Sequence, residues 1–408
     1  MSTLAIHGGQ PVRKSPISPS GERFGDDEIA LLTEVIRSQK LNCNAGTRVK
    51  EFSSAFGQYI GRAHSWMVTS GTAAIHVALG AANLNPGDEV ITAPVTDMGT
   101  ICPILMQNAI PVFADLEAGS MCLDPEDVVR RITPRTRVIM PVHFCGNACN
   151  MEALTAIAEE HQLLLIEDCA QAFNTVFAGR KVGTIGDIGC FSLNQSKHIS
   201  CGDGGITVTD DPELGERVLL FSDKAWPRSG TRRDHLFLAP NYRVTELQAA
   251  VALAQLKKLD AITNTRRDRG DLITSLLEGA PEIAPMHVRE GDECTYWFYW
   301  FRVPSERRNE YVHALKAEGL PASAGYIPKP VYLYDVLREK KTYGDTHFPY
   351  GYAPFRDPEN EIDYHEGLCP VAERGLTEMI RFGLSEFWTE DDARDAAIII
   401  RKVAEALA

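Results

Sequence analysis

At 408 residues the chain is too long for one ordinary core and suits two or three domains of roughly 150 residues each. With 44% apolar and 24% charged residues it has the composition of a folded globular protein, which excludes a disordered chain. Its 55 Asp and Glu outnumber 41 Lys and Arg, a formal charge of −14, and without a basic tract this argues against nucleic acid or an anionic membrane as partner.

The N-terminal residues Met1 to Gly9 lack the charged start and apolar core of a signal peptide. No apolar run approaches the roughly 18 residues of a membrane helix, so a cytoplasmic protein is expected. Residues 10 to 22 carry Pro11, Pro16 and Pro19 among serines and read as part of an extended arm, residues 1–25. Helical periodicity begins at Asp26-Asp27-Glu28, whose acids suit a helix N-terminus, and continues through Ile29, Leu31, Leu32, Val35 and Ile36. From about 65 to 210 short β-rich runs alternate with helical stretches. The runs are Ser65–Val68, Glu89–Ala93, Pro111–Ala114, Val138–Val142, Leu163–Glu167, Cys190–Leu193 and Ile206–Thr209. Helices are predicted at about 71–83, 124–131 and 151–161. Continuous apolar runs such as Leu163–Ile166 imply strands covered on both faces. The alternation predicts a large α/β domain with a mostly parallel central sheet, residues 26–280.

Beyond 240 one long helix is predicted, with Leu247, Val251, Leu253, Leu256 and Leu259 at its apolar positions. From about 280 come an aromatic strand, Tyr296–Phe301, and an irregular segment rich in Tyr, Pro and Gly over 342–355. A closing helix spans Glu390 to Ala408. These elements predict a smaller α+β domain, residues 281–408. Ten cysteines are sparse for a chain of this length. Cys145 and Cys149, with His143 nearby, could form a metal site, but the spacing is wider than a zinc knuckle and no second pair exists. Reduced, mostly buried thiols without a metal are expected.

Four features lie at ends of predicted strands, where open α/β sheets place ligands. Ser70-Gly71-Thr72 opens an alanine-rich helix and reads either as a phosphate site on free helix amides or as a Ser/Thr cap. Asp168 and Gln171, in Glu167-Asp168-Cys169-Ala170-Gln171, follow a buried strand. The carboxylate there needs a cationic partner such as a protonated ring nitrogen, or caps a helix. Lys197, in Phe191-Ser192-Leu193-Asn194-Gln195-Ser196-Lys197, stands beyond a strand and before Gly202-Asp203-Gly204-Gly205. It could form a Schiff base if its neighbours lower its pKa, or be a solvated surface group. That glycine cluster lacks the GxGxxG spacing of a dinucleotide site. Asn241 and Arg243, in Pro240-Asn241-Tyr242-Arg243, either bind an anion or cap the long helix and pair with an acid.

Singly these signals are weak; together, in this order, they resemble the DegT/DnrJ/EryC1/StrS family of pyridoxal-phosphate-dependent sugar and cyclitol aminotransferases. The resemblance runs from Ile6-His7-Gly8-Gly9 through Ser70-Gly71-Thr72, Pro86–Ile91, Pro141–Gly146, Glu167–Gln171 and Phe191–Lys197. It continues through Gly204-Gly205 and Asn241–Arg243 to Cys369-Pro370-Val371-Ala372-Glu373. It implies the aspartate-aminotransferase (type I) fold and pyridoxal 5'-phosphate as cofactor. It further implies that Lys197 holds the cofactor aldehyde as a Schiff base and then moves the substrate proton. Asp168 would pair with the pyridine nitrogen, and Gln171 would lie near the ring hydroxyl. Gly71, Thr72 and Ser192 would hold the phosphate, with Asn241 reaching in from the other subunit of a homodimer with composite active sites.

Three departures from the family pattern stand out. Asp97 occupies the place of an aromatic residue that stacks on the ring, in Val95-Thr96-Asp97-Met98-Gly99-Thr100. It either faces the ring, selecting an amine or polyol or moving a proton, or caps the next helix. Asp203 replaces a more usual Glu, and Phe382–Trp388 replaces a Leu-Pro-containing segment. The expected activity is transfer of an amino group from a small amino donor, glutamate or glutamine, to a keto-sugar, nucleotide-linked, or a keto-cyclitol. Such reactions serve amino-sugar and antibiotic biosynthesis. The alternative is a dehydratase, epimerase or cyclase using the same cofactor, which the presence of Lys197 disfavours. Tyr296, Trp297, Tyr299 and Trp300 could line the acceptor cleft, but an aromatic strand is more often core, and they are left out of the site.

Overall fold

A computed structural model describes residues 3–350 and 362–408. Two amphipathic helices, α1 (Asp26–Ser38) and α2 (Arg48–Ile60), precede the strand–helix alternation. That alternation runs β1 (His64–Val68), α3 (Gly71–Ala82), β2 (Glu89–Thr92), α4 (Met98–Met106) and β3 (Ile110–Phe113). It continues α5 (Pro125–Arg131), β4 (Thr136–Met140), α6 (Met151–His161) and β5 (Leu164–Asp168). A short ribbon of β6 (Val176–Phe177) and β7 (Arg180–Lys181) leads to β8 (Ile188–Ser192), β9 (Gly205–Thr209) and α7 (Pro212–Ser222).

Seven of these strands form one sheet in the order β1-β9-β8-β5-β4-β2-β3. The pairs from β8 to β3 are parallel, whereas β9 is antiparallel to both β8 and β1. It follows that β1 points the same way as the parallel strands. The chain therefore leaves β1, β2, β5 and β8 on one edge of the sheet. Alternate residues enter two separate apolar clusters: Ile91, Ile139 and Leu165 one, Val90, Val138 and Ile166 the other. This is the two-sided burial that the apolar runs imply. Each predicted strand of this sheet is present within two residues of its expected ends.

The long helix expected beyond 240 is two helices, α8 (Glu246–Leu256) and α9 (Leu259–Leu276). The break falls where packing partners change, since α8 lies on α1 and α2 and α9 lies on the C-terminal helix. A second sheet is antiparallel, built from β10 (Ala284–Pro285), β11 (Tyr299–Arg302), and, beyond α10 (Arg308–Glu318), β12 (Ser323–Ala324). Then come α11 (Asp335–Arg338), α12 (Pro370–Glu378), the central strand β13 (Met379–Phe382) and α13 (Glu390–Leu407). The aromatic strand is shorter than expected, because Tyr296 takes a φ of 43° and the chain turns before β11 begins. Of the irregular segment at 342–355, residues to Tyr350 form turns, and 351–355 lie outside the described residues. Among the described residues no helix is long and apolar enough to cross a membrane.

Candidate active site

The edge where β1, β2, β5 and β8 end borders a cavity of about 270 Å³. Gly71, Thr72, Asp97, Asp168, Gln171, Ser192 and Lys197 all line it. One end is the start of α3. Ser70 caps that helix, its Oγ accepting from the Ala73 amide at 3.0 Å. The first amides of the helix, those of Gly71 and Thr72, have no intrahelical acceptor and point outward with the positive end of the dipole. A Cβ on Gly71 would stand 2.6 Å from the Ser192 Cβ. Glycine thus lets the helix start close on the end of β8, bringing the hydroxyl-bearing Thr72 and Ser192 to one hollow. The Ser70 cap uses the Ala73 amide and so leaves the Gly71 and Thr72 amides out of it.

Asp168 ends β5 and is buried. Its Oδ2 accepts from the Thr100 hydroxyl at 2.8 Å and its Oδ1 from the Ala170 amide at 3.0 Å. Burial pushes this carboxyl above the ordinary Asp value, while the Ala170 amide, the Thr100 hydroxyl and Lys197 pull the other way. A cation brought against it would favour the ionised form further.

Glu167 points to the opposite side of β5. Burial raises its carboxyl too, but His143 and backbone amides outweigh that and hold it below the ordinary range. The donors are His143 Nε2 at 3.1 Å and the amides of Gly183, Ile185 and Gly186 at 2.7, 2.8 and 2.7 Å. The trio of His143, Cys145 and Cys149 does not assemble around a common point. His143 Nδ1 takes the Cys149 amide, while the two thiols face the carbonyls of Phe298 and Val142.

Lys197 follows a turn in which its amide donates to Asn194 O at 2.9 Å. Its Nζ lies 3.8 Å from the ring centroid of Trp297. Burial lowers the amine to about 8, against the opposing pull of Asp168 and Asp97. About a tenth of it is therefore uncharged at pH 7, which an unperturbed lysine could not supply.

Gln171 is oriented by the Cys145 amide, which donates to its Oε1 at 2.8 Å and leaves Nε2 facing the Tyr326 hydroxyl at 3.4 Å. Asp97 caps the next helix and also borders the cavity. Its Oδ1 accepts from the Gly99 amide at 2.7 Å, capping α4, and the residue lines the cavity, where its charge is felt at Lys197 and Tyr326. Asp203 also lines the cavity, with Oδ1 accepting from Asn194 Nδ2 at 2.9 Å. Asn241 is not brought to this cavity. It is exposed and its backbone bridges to Asp223. Arg243 pairs with Asp223, as does Arg228, and Thr245 rather than Asn241 caps α8.

Among the lining residues that the sequence reading left out of the site are Thr96, Thr100, Trp297 and Tyr326. Trp297 sits among aromatics of which Tyr296, Tyr299 and Trp300 are indeed core, at 1% exposure or less. Only the turn before β11 separates it from them. The threonines sit one turn apart at the start of α4, a helix for which the sequence reading offered a cap at Asp97 but no span.

The chain matches the model of the DegT/DnrJ/EryC1/StrS aminotransferase family over residues 22–356. It is 32% identical to L-glutamine:2-deoxy-scyllo-inosose aminotransferase of Streptomyces kanamyceticus, across 99% of this chain and 97% of that protein. It is 36% identical to GDP-perosamine synthase of Vibrio cholerae, across 62% of this chain and 68% of that protein. Among solved structures, that of 3-amino-5-hydroxybenzoic acid synthase superposes with a TM-score of 0.83 at 29% identity, covering 97% of this chain and all of that one.

Proposed function

We infer that this chain, which belongs to the DegT/DnrJ/EryC1/StrS aminotransferase family, carries out its chemistry through Asp168 and Lys197, which line one cavity. It is a pyridoxal-phosphate-dependent aminotransferase of keto-sugars or keto-cyclitols. The residues present suit pyridoxal 5'-phosphate. Helix amides and hydroxyls that match a phosphate, a buried carboxylate that matches a ring cation, and an amine of lowered pKa all line the cavity. Gly71, Thr72 and Ser192 would hold the phosphate, Asp168 the protonated ring nitrogen, and Gln171 and Asp97 the sides of the ring. When bound, the cofactor supplies an aldehyde and an electron-accepting ring. Lys197 Nζ, its pKa lowered by burial, would take the α-proton of the amino donor and as an ammonium would pass it to the cofactor carbon that carried the aldehyde. In the second half-reaction it delivers a proton to the carbon being aminated.

The observation that carries this reading is the joint presence of Asp168 and Lys197 on one cavity, each shifting the other's proton affinity. The donor is glutamine or glutamate, as the name of the Streptomyces relative suggests. The purified protein should show a visible band that borohydride fixes onto Lys197, and glutamine or glutamate alone should convert the cofactor to its amine form. If neither donor does so, the dehydratase, epimerase or cyclase reading takes its place.

A homodimer with composite sites is supported by Asn241, which is exposed away from its own cavity. Leu238 beside it is 96% exposed, while Asp223 pins the segment's base through Arg228 and Arg243. The division into an arm (1–25), a cofactor-holding domain (26–280) and a smaller domain (281–408) is supported by the two sheets falling on either side of residue 280. Ten free thiols suit a reducing cytoplasm.

A further inference from the structure

One closed circuit of contacts around Lys197 has no part in the chemistry above. Trp297 touches the 196–197 segment twice: its Nε1–H donates to Ser196 O at 2.7 Å, and its ring lies against Lys197 Nζ. Arg266, from α9, holds the tryptophan by donating from Nη1 to Trp297 O at 3.1 Å. Its Nη2 donates to Glu386 Oε2 at 2.9 Å. The other oxygen of Glu386 accepts from Arg23 Nε at 2.8 Å, and Arg23 Nη1 donates to Lys197 O at 2.8 Å. The circuit thus joins the N-terminal arm, α9, the loop before β11 and the segment after β13. The side chains of Arg266 and Glu386 are only 4% and 9% exposed. Buried ion pairs of this kind add little net stability over apolar packing, so stability alone is a weak reason for them.

We propose that Trp297 is a positioning residue that seats Lys197 Nζ on its indole face, and that Glu386, acting through Arg266, holds that indole in place. The proposal rests on the reading of Lys197 as the reacting amine. An indole face attracts an ammonium but not a neutral amine, so it favours the charged lysine and fixes the point from which protons are given and taken. The other groups facing this part of the cavity are Asp168, Asp97 and Asp203 and the Tyr326 hydroxyl, while His198, buried behind Lys197 on the Thr295 carbonyl and outside the lining, is kept uncharged by its burial. Arg23 bonds the lysine's carbonyl.

Competitive acetylation of the full-length chain, cleared of cofactor with hydroxylamine and read by peptide mass spectrometry across the alkaline range, reports the titration of Lys197 itself. Trp297→Leu keeps apolar cover and removes the ring; Trp297→Phe keeps a weaker ring. The midpoint should fall by about half a unit in Trp297→Leu, with Trp297→Phe between it and the native chain. An unchanged or raised midpoint in both variants overturns the seat. If Trp297→Leu fails to fold, Trp297→Phe decides alone, a fall supporting the seat and no change refuting it. Glu386→Gln should lower the midpoint in the native background and have no effect in the ring variant that folds without its indole. An equal effect in both backgrounds would make Glu386 a distant charge and overturn its action through the indole. Failure of the underlying role of Lys197 would show separately, as borohydride failing to fix the cofactor there in the native chain.

Discussion

Thr100→Val removes one hydroxyl from the carboxylate that is to pair with the ring nitrogen. Thr100 is buried and its Oγ1 donates to Asp168 Oδ2 at 2.8 Å. Valine has nearly the same shape but no donor, and at this depth water does not readily replace it. A hydrogen bond to a charged acceptor contributes about 1.5–3 kcal/mol, which at about 1.4 kcal/mol per unit corresponds to a pKa change of about one to two units. The sign follows from which form the hydroxyl stabilises: it favours the carboxylate, so its loss raises a pKa that burial has already raised. Cofactor affinity, titrated by quenching of tryptophan fluorescence, should then lose its acid limb at a pH about one to two units higher. The plateau above it should be unchanged, and Thr100→Ser should restore the native limb. A correctly folded Thr100→Val protein with an unmoved limb would mean that Asp168 is not the group paired with the cofactor.

Gly71→Ala places a Cβ 2.6 Å from the Ser192 Cβ, so α3 or β8 must shift. Overpacking of about 1–3 kcal/mol should weaken cofactor binding by about ten- to a hundredfold in the same titration, and native affinity would refute the cradle. Glu167→Gln turns an NH2 toward the four N–H donors around that side chain. At least two of them lose an acceptor, so urea unfolding should show a loss of about 2–6 kcal/mol. In the native chain the lowered Glu167 pKa stabilises the fold above the ordinary carboxyl range, and this is lost as pH falls through the folded value. The variant should lack that acid limb. Mixing inactive Lys197→Ala and Asn241→Ala proteins under subunit exchange should restore about a quarter of native activity, because half the dimers would carry one intact composite site of two. No recovery would mean that Asn241 does not complete the site of the other subunit.

The strands were legible because they are buried on both faces, which leaves unbroken runs such as Val90-Ile91 and Leu165-Ile166. Residues directly after such strands, Asp168 and Ser192, inherited that clarity. What depends on the approach of distant segments was not legible. Helix α4 is apolar on most sides and contains Pro103, so it shows no amphipathic stripe, and its threonines passed unnoticed. Trp297 differs from Tyr296 and Tyr299 only through a turn whose cause is tertiary. The second role of Asp97 required the cavity wall itself, since a cap can be read from Asp97-Met98-Gly99 but a neighbour 100 positions later in sequence cannot. Glu386 lay in a segment already seen to depart from the family pattern, yet nothing in its spacing pointed to Arg23 or Arg266.

The cavity draws its two halves from separate sources. The residues proposed to grip phosphate and ring stand on the rims of buried strands, β8 and β5, and on the helix after β1, whereas Trp297 and Tyr326 arrive on loops of the smaller sheet and Asp97 on a helix tip. On the proposed assignment a loop side chain such as Tyr326 can be exchanged while the strand-end residues Asp168 and Ser192 stay put. Exchanging Tyr326 for its counterparts in other enzymes of this lineage is accordingly the shortest route to a changed acceptor.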